Sequence, residues 1–293
     1  MIDDAAPQQH GRKRLHERFF GHQRVTVIEA ARGWRLSDLS ELFAYRELLW
    51  VLTVRDLKVR YKQTAVGAAW AVLQPVATMA IFSLVFGRLL DVESEGYPYP
   101  IFVFAALLPW TFFANSLSSC GVSLVNSAPL VTKVYFPRIL VPAAAVASGL
   151  VDLAVASSVL LALMLYYGVA WSLHLLAVPI LLLGLVLVTL GIGCWLAAVT
   201  VTYRDFRFVI PFLVQIWMFA TPVIYPSSVV PESWQWMLWL NPLSGLINAF
   251  RSAFLGKPFD LSTFAISMAF SILVFIFGFA YFTRVERRFA DVI

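Results

Sequence analysis

The chain has 293 residues, 60% of them hydrophobic and only 13% charged, with a formal net charge of +5. Soluble domains carry about 25% charged residues, so the composition excludes an ordinary soluble core and points to an all-α polytopic membrane protein. The modest cation excess falls at predicted cytoplasmic ends and no RNA or DNA module signature is present, so it reads as a topology signal and not as nucleic-acid binding.

Residues 1–36 read as a basic N-terminal tail. Met1 to Gln9 is polar and GRKRLHERFF follows, without the apolar core and small-residue cleavage site of a secretory signal. The tail is expected to be an aperiodic arm whose cations can rest on anionic lipid headgroups. Residues 37–62 are predicted to form an amphipathic helix at the cytoplasmic interface. Asp38 and Glu41 have capping-box spacing, and Leu39, Leu42, Phe43, Leu49, Trp50 and Leu57 form a broad apolar stripe.

The stretch Arg55 to Pro75 reads RDLKVRYKQTAVGAAWAVLQP. Four cations, Arg55, Lys58, Arg60 and Lys62, precede an apolar run that continues to Leu90 and is long enough to cross a bilayer. Cations on this side hold it in the cytoplasm. The stretch resembles the signature at the first span of type-2 ABC permeases that export lipid-linked polysaccharides, such as O-antigen and teichoic-acid exporters. The shared features are RYKQT, a Gly, a Trp and LQP.

The remaining spans follow from apolar length. Span one, with Pro75 inside it, ends at an acidic turn with Asp91, Glu93 and Glu95. Span two is placed at about 101–125, span three at about 139–167, span four at about 176–201, span five at about 209–225 and span six at about 263–282. Arg284, Arg287 and Arg288 hold the C-terminus inside. This gives about six transmembrane helices, with both termini cytoplasmic. Gly184, Gly191 and Gly193 in span four allow close helix contact. Asp152, near the middle of span three, finds no Lys or Arg at matching depth in another span. It is expected to be protonated or hydrogen-bonded to a Ser or Thr on a neighbouring helix, with a proton relay as the alternative. Cys120 and Cys194, both in apolar segments, read as small buried hydrophobes.

Between spans two and three, Pro129 and Pro137 bracket a short helix of about two turns. The helix carries Leu130, Lys133, Val134, Tyr135 and Phe136, with Arg138 just beyond it, and exposed apolar side chains there need a partner. KVYFPR resembles the family's coupling helix, which implies that these six residues meet an ATPase. After span five, VPESWQWMLWLNP and LSGLINAFRSAFLG are too short to span and read as re-entrant or interfacial helices. TPVIYP and NPL…AFRSAFLG also resemble the family. The resemblance implies an outer gate containing Trp234, Trp236, Asn241, Pro242 and Arg251.

No phosphate-binding loop and no HExxH, GxSxG or paired-Asp constellation occurs. No catalytic residue, metal site or cofactor is therefore assigned to this chain, and ATP and Mg would be bound by a partner ATPase. Arg55, Lys58 and Lys62 lie on one helical face, with Arg60 and Tyr61 nearby. They read either as a plain topology signal or as a site for an anionic lipid headgroup. Trp70, Gln74, Gln215, Trp217 and Phe219 read either as packing or as a lining for sugar rings, which present apolar faces to aromatics. Within residues 63–293, spans one and five would line the path if the family pattern holds. The resemblance implies a homodimer with two ATPase subunits in a bacterial inner membrane, moving lipid-linked polysaccharide outward. The alternatives are a permease for a drug or small lipid, an ATP-independent channel, and a membrane-embedded transferase.

Overall fold

The computed structural model describes residues 45–62, 67–286 and 289. The N-terminal tail, the predicted capping box at Asp38, and Arg287 and Arg288 lie outside the described residues. The described part is helical throughout. Helix α1 spans Arg46–Tyr61 and α2 spans Trp70–Phe82, which continues as a π-helix over Ser83–Leu89. Helix α3 is Tyr99–Asn126, α4 Ala128–Lys133, α5 Leu140–Tyr166 and α6 Val178–Thr202. Helix α7 is Phe206–Ala220, α8 Gln235–Leu240, α9 Pro242–Leu255 and α10 Leu261–Val285.

Among the described residues, five helical stretches are long and apolar enough to cross a membrane: Trp70–Leu89, Tyr99–Asn126, Leu140–Tyr166, Leu173–Thr202 and Leu261–Val285. The expected fifth span is shorter. Helix α7 has 15 residues, about 22 Å, less than the roughly 30 Å of hydrocarbon. It stops because Thr221, preceding Pro222, is extended (φ −111°, ψ 139°); the pyrrolidine ring disfavours helix at the residue before it. The buried turn Thr221–Ile224 then returns the chain towards α8 and α9.

Helix α3 is the hub. Its side chains from Ile101 to Ala106 are fully buried, and α2, α5, α6, α7 and α9 all pack on it. This explains why α3 shows no polar stripe over its first three turns: neighbours surround it on every side. Helix α2, by contrast, exposes Trp70, Leu73, Ile81 and Leu84, and α7 exposes Phe208, Phe212, Leu213, Ile216 and Phe219. A second cluster closes the end of the bundle that holds α4. It joins Leu52 of α1 to Leu124, Val131, Phe136, Leu140, Cys194 and Phe282.

Helices α6 and α10 meet at glycine. A Cβ on Gly191 would stand 2.6 Å from the Phe275 Cα, and one on Gly278 would strike the Gly191 carbonyl. No side chain fits between these backbones, which is the small-residue mode of helix association in membranes.

Candidate functional site

Three groups of residues carry the functional expectations. The first gathers where α1 meets α5. Arg55 donates to Asp56 at 2.8 Å and reaches Ser127 Oγ, at the start of α4, at 3.2 Å. At the other end of α1, Arg60 forms an ion pair with Asp152 and also donates to Ser148 Oγ at 3.3 Å. Tyr61 Oη donates to Asp152 Oδ1 at 2.6 Å. The expectation that Asp152 lacks a cationic partner is therefore wrong. The partner comes not from another span but from the helix that precedes span one. An ionised acid in a span is costly unless paired, and α1 supplies both a guanidinium and a hydroxyl. Burial and the carboxylate beside it push the Tyr61 phenol up to about 12, so it stays a proton donor. Lys58 and Lys62 remain exposed.

This junction opens into a cavity of about 430 Å³ between α1, α2, α3 and α5. Arg60, Tyr61 and Asp152 form one wall, and Trp70 and Gln74 of α2 another. Helix α3 contributes Thr111, Asn115, Ser116, Ser118 and Ser119. Of the residues predicted to line a path, Trp70 and Gln74 come together here. Gln215 and Phe219 are exposed on α7. Trp217 is committed to packing: its ring stands edge-on to Phe113 at 5.2 Å, and its indole N–H donates to Asn241 Oδ1 at 3.1 Å.

The second group is the turn after α3. The expected two-turn helix ends at Lys133, and Val134 is extended (φ −124°, ψ 135°). Phe136 precedes Pro137 and cannot continue a helix comfortably. Lys133, Val134 and Tyr135 are exposed, the last at 71%. Leu130 packs partly into the inner cluster and Phe136 is buried there. Arg138 is tied to the end of α10: its N–H donates to Glu286 Oε1 at 2.9 Å and its guanidinium to the Glu286 carbonyl. Sequence reasoning grouped six residues, but only three of them present a free surface.

The third group sits at the opposite end of the bundle. Trp234 and Trp236 are exposed, whereas Asn241, Pro242 and Arg251 are buried. Asn241 caps α9 by accepting from the Leu243 N–H at 3.1 Å, with Pro242 at the first helical position. Its amide also donates to Thr221 Oγ1 at 2.8 Å, fastening α9 to the end of α7. Arg251 is only 2% exposed. It donates to the carbonyls of Pro222 and Val223 at 2.9 and 3.0 Å and lies 3.9 Å over the Phe102 ring. Arg251, expected in the outer gate, pins the Thr221–Ile224 turn to α9 and α3.

The ABC-2 type transporter family profile matches residues 47–255, which include all three groups. The chain belongs to the ABC-2 type transporter family. It is 28% identical over 248 residues to an O-antigen export system permease protein RfbA of Klebsiella pneumoniae, covering 84% of this chain and 95% of that protein. It is 32% identical over 216 residues to RfbA of Myxococcus xanthus, covering 73% and 82%. It is also 25% identical over 245 residues to the polysialic acid transport protein KpsM of Escherichia coli, covering 80% and 92%. As an ABC-2 permease it is the membrane component of a transporter whose ATPase is a separate protein. The match ends at the close of α9, so α10 lies beyond it although α10 packs along α6 as a full member of the bundle.

Proposed function

We propose that this chain is the membrane-spanning subunit of an exporter that moves lipid-linked polysaccharide from the cytoplasmic to the outer face of a bacterial inner membrane. Hydrolysis of ATP with Mg, held by a partner ABC ATPase, drives the movement. The chain works as a homodimer, and both its termini are cytoplasmic. The observation that carries this reading is the agreement of three polysaccharide-export relatives across most of the chain with an exposed Lys133–Tyr135 surface at the basic end of the bundle. Lys133, Arg138, Arg204, Arg207 and Arg284 all belong to that end, which fits a cytoplasmic placement. Val134 and Tyr135 form an apolar tip of the kind an ATPase groove would cover. The broad apolar faces of α2 and α7 are available to a second copy and to lipid.

The test has two parts. Solubilised with its membrane, the chain should copurify with an ABC ATPase, and its deletion should leave polymer accumulating inside the cell. Normal surface polymer in the deletion strain, with an altered small-molecule efflux profile, would replace this reading with a drug or small-lipid permease.

A further inference from the structure

We propose that the cavity between α1, α2, α3 and α5 binds a neutral, polyhydroxylated ring, a single sugar unit, and not the phosphate of a lipid carrier. The inference rests on the reading that the cargo is a polysaccharide, and it locates where one unit is held. Charge argues first. Arg60 is the one cation lining the cavity among the described residues, and Asp152 already neutralises it. A phosphate entering would meet a carboxylate as close as the guanidinium, so its attraction is largely cancelled. The cations suited to a phosphate, Lys58 and Lys62, are exposed and do not line the cavity.

Hydrogen-bonding capacity argues second. Asp152 accepts from Arg60 and Tyr61, which uses two of its roughly four acceptor positions and leaves the others for hydroxyl donors. Thr111 and Ser118 donate to carbonyls of their own helix, Leu107 and Ala114, so their oxygens face a ligand as acceptors. Ser116 Oγ is buried without a partner among the described residues, and such a group normally finds one. No hydrogen bond within the described residues uses the amides of Gln74 and Asn115, each of which offers both donors and an acceptor. Sugar hydroxyls need this mixture of donors and acceptors; phosphate oxygens need donors alone.

Shape argues third. The Trp70 ring, half-exposed, and Phe112 supply apolar surface for the C–H face of a pyranose. A volume of about 430 Å³ lies within the range of small-molecule sites. Gly149 lets α5 pack closely on α3 at this wall: a Cβ there would strike Ser116 Oγ and stand 3.3 Å from the Phe112 ring.

The experiment uses the full chain with its ATPase in lipid nanodiscs and a Ser119→Cys variant, at a cavity-lining residue to which no bond to the sugar is assigned. Cys120 and Cys194 are fully buried, so the introduced thiol is the one in this chain that reacts with a small maleimide, and labelling is read on this chain after it is separated from the ATPase. Labelling is timed with octyl glucoside, octyl phosphate, octyl tetraoxyethylene or methyl glucoside at one sub-micellar concentration. Octyl glucoside should slow labelling at least about threefold relative to octyl tetraoxyethylene. Octyl phosphate should not, and Gln74→Leu, which removes no hydrogen bond of the described chain, should abolish the difference. Protection by octyl glucoside alone assigns a lipid-linked sugar, and protection by methyl glucoside as well assigns a free one; both uphold the site. Equal rates with all octyl compounds, or stronger protection by octyl phosphate, overturn it. Polymer accumulation on deletion without glucoside protection refutes this inference and leaves the export reading intact. Normal surface polymer on deletion refutes the export reading whatever the labelling shows.

Discussion

Removing Asp152 tests whether α1 is held to the bundle by charge. In Asp152→Ala, the Arg60 guanidinium loses its ion pair and Tyr61 loses its acceptor. A guanidinium cannot neutralise itself by losing a proton, so it must either stay in a poorly solvated position or swing towards the headgroups. Breaking a fully buried pair costs about 3–5 kcal/mol, and breaking an exposed one about 0–1 kcal/mol. The side chains here are 31% and 21% exposed, so solvent screening brings the expected loss to about 2 kcal/mol. For a chain of this size that is a drop of very roughly 4–8 °C in Tm. The assay is thermal unfolding of the complex in nanodiscs for Asp152→Ala, Arg60→Ala and the double variant. The double variant should lose clearly less than the two single losses added together, a coupling of about 1 kcal/mol or more. Losses that add to within about 0.5 kcal/mol would refute the claim that these two charges hold α1 in place.

Gly278→Ala should disrupt the α6–α10 contact, because the new methyl overlaps the Gly191 carbonyl; overpacking of this kind costs about 1–3 kcal/mol or more, read as reduced yield and Tm. Arg251→Met should destabilise by about 2–3 kcal/mol through two lost charge-assisted bonds to carbonyls, and Lys should rescue it poorly because it lacks the planar fork; thermal unfolding reports both. Tyr61 has its folded value raised from 10.0 to about 12, so its contribution is complete below pH 10 and declines as pH rises to about 12. Tyr61→Phe should therefore narrow its Tm gap to the parent chain across that alkaline window, and a constant gap would contradict the Asp152 hydrogen bond. Val134→Ser with Tyr135→Ser should leave Tm within about 1 °C, since both are exposed, yet prevent ATPase copurification.

The long elements were legible because apolar length and helix breakers act locally. Pro98 before α3, Gly256 at φ +70° after α9, and Asp260 accepting from the Ser262 and Thr263 N–H groups at 3.1 and 3.2 Å mark the helix ends in the structure, within a few residues of the bounds set by apolar length. Partnership was less legible. Asp152 and Arg60 are far apart in sequence, and no periodicity brings α1 alongside α5. Only the rule that an acid in a span must be paired offered a signal, and assigning α1 to the interface suppressed it. The coupling segment failed differently. Phe136 and Tyr135 are adjacent aromatics in one string, but the extended backbone at Val134 and the proline at 137 put one into the core and the other into solvent.

The cations at the sparsely charged end of the bundle show how partnership also bears on topology. Arg88, Arg251 and Lys257 break the rule that basic residues gather at the other end. Two of the three are no longer free charges in the fold. Lys257 is paired with Glu95 and lies 4.8 Å from the Tyr97 ring, and burial lowers its ammonium from the usual range. Arg251 is enclosed by carbonyls and the Phe102 face. Such residues weigh on orientation while the chain inserts, before their partners exist, and hold α3, α9 and the loop after α2 together once it has folded. Arg88 alone remains exposed, at the end of the π-helical turn, where a long stem lets it reach the headgroups. The surplus at the α4 end, Lys133, Arg204, Arg207 and Arg284 with Arg138, outnumbers these three cations, so insertion follows the majority while the minority serve packing.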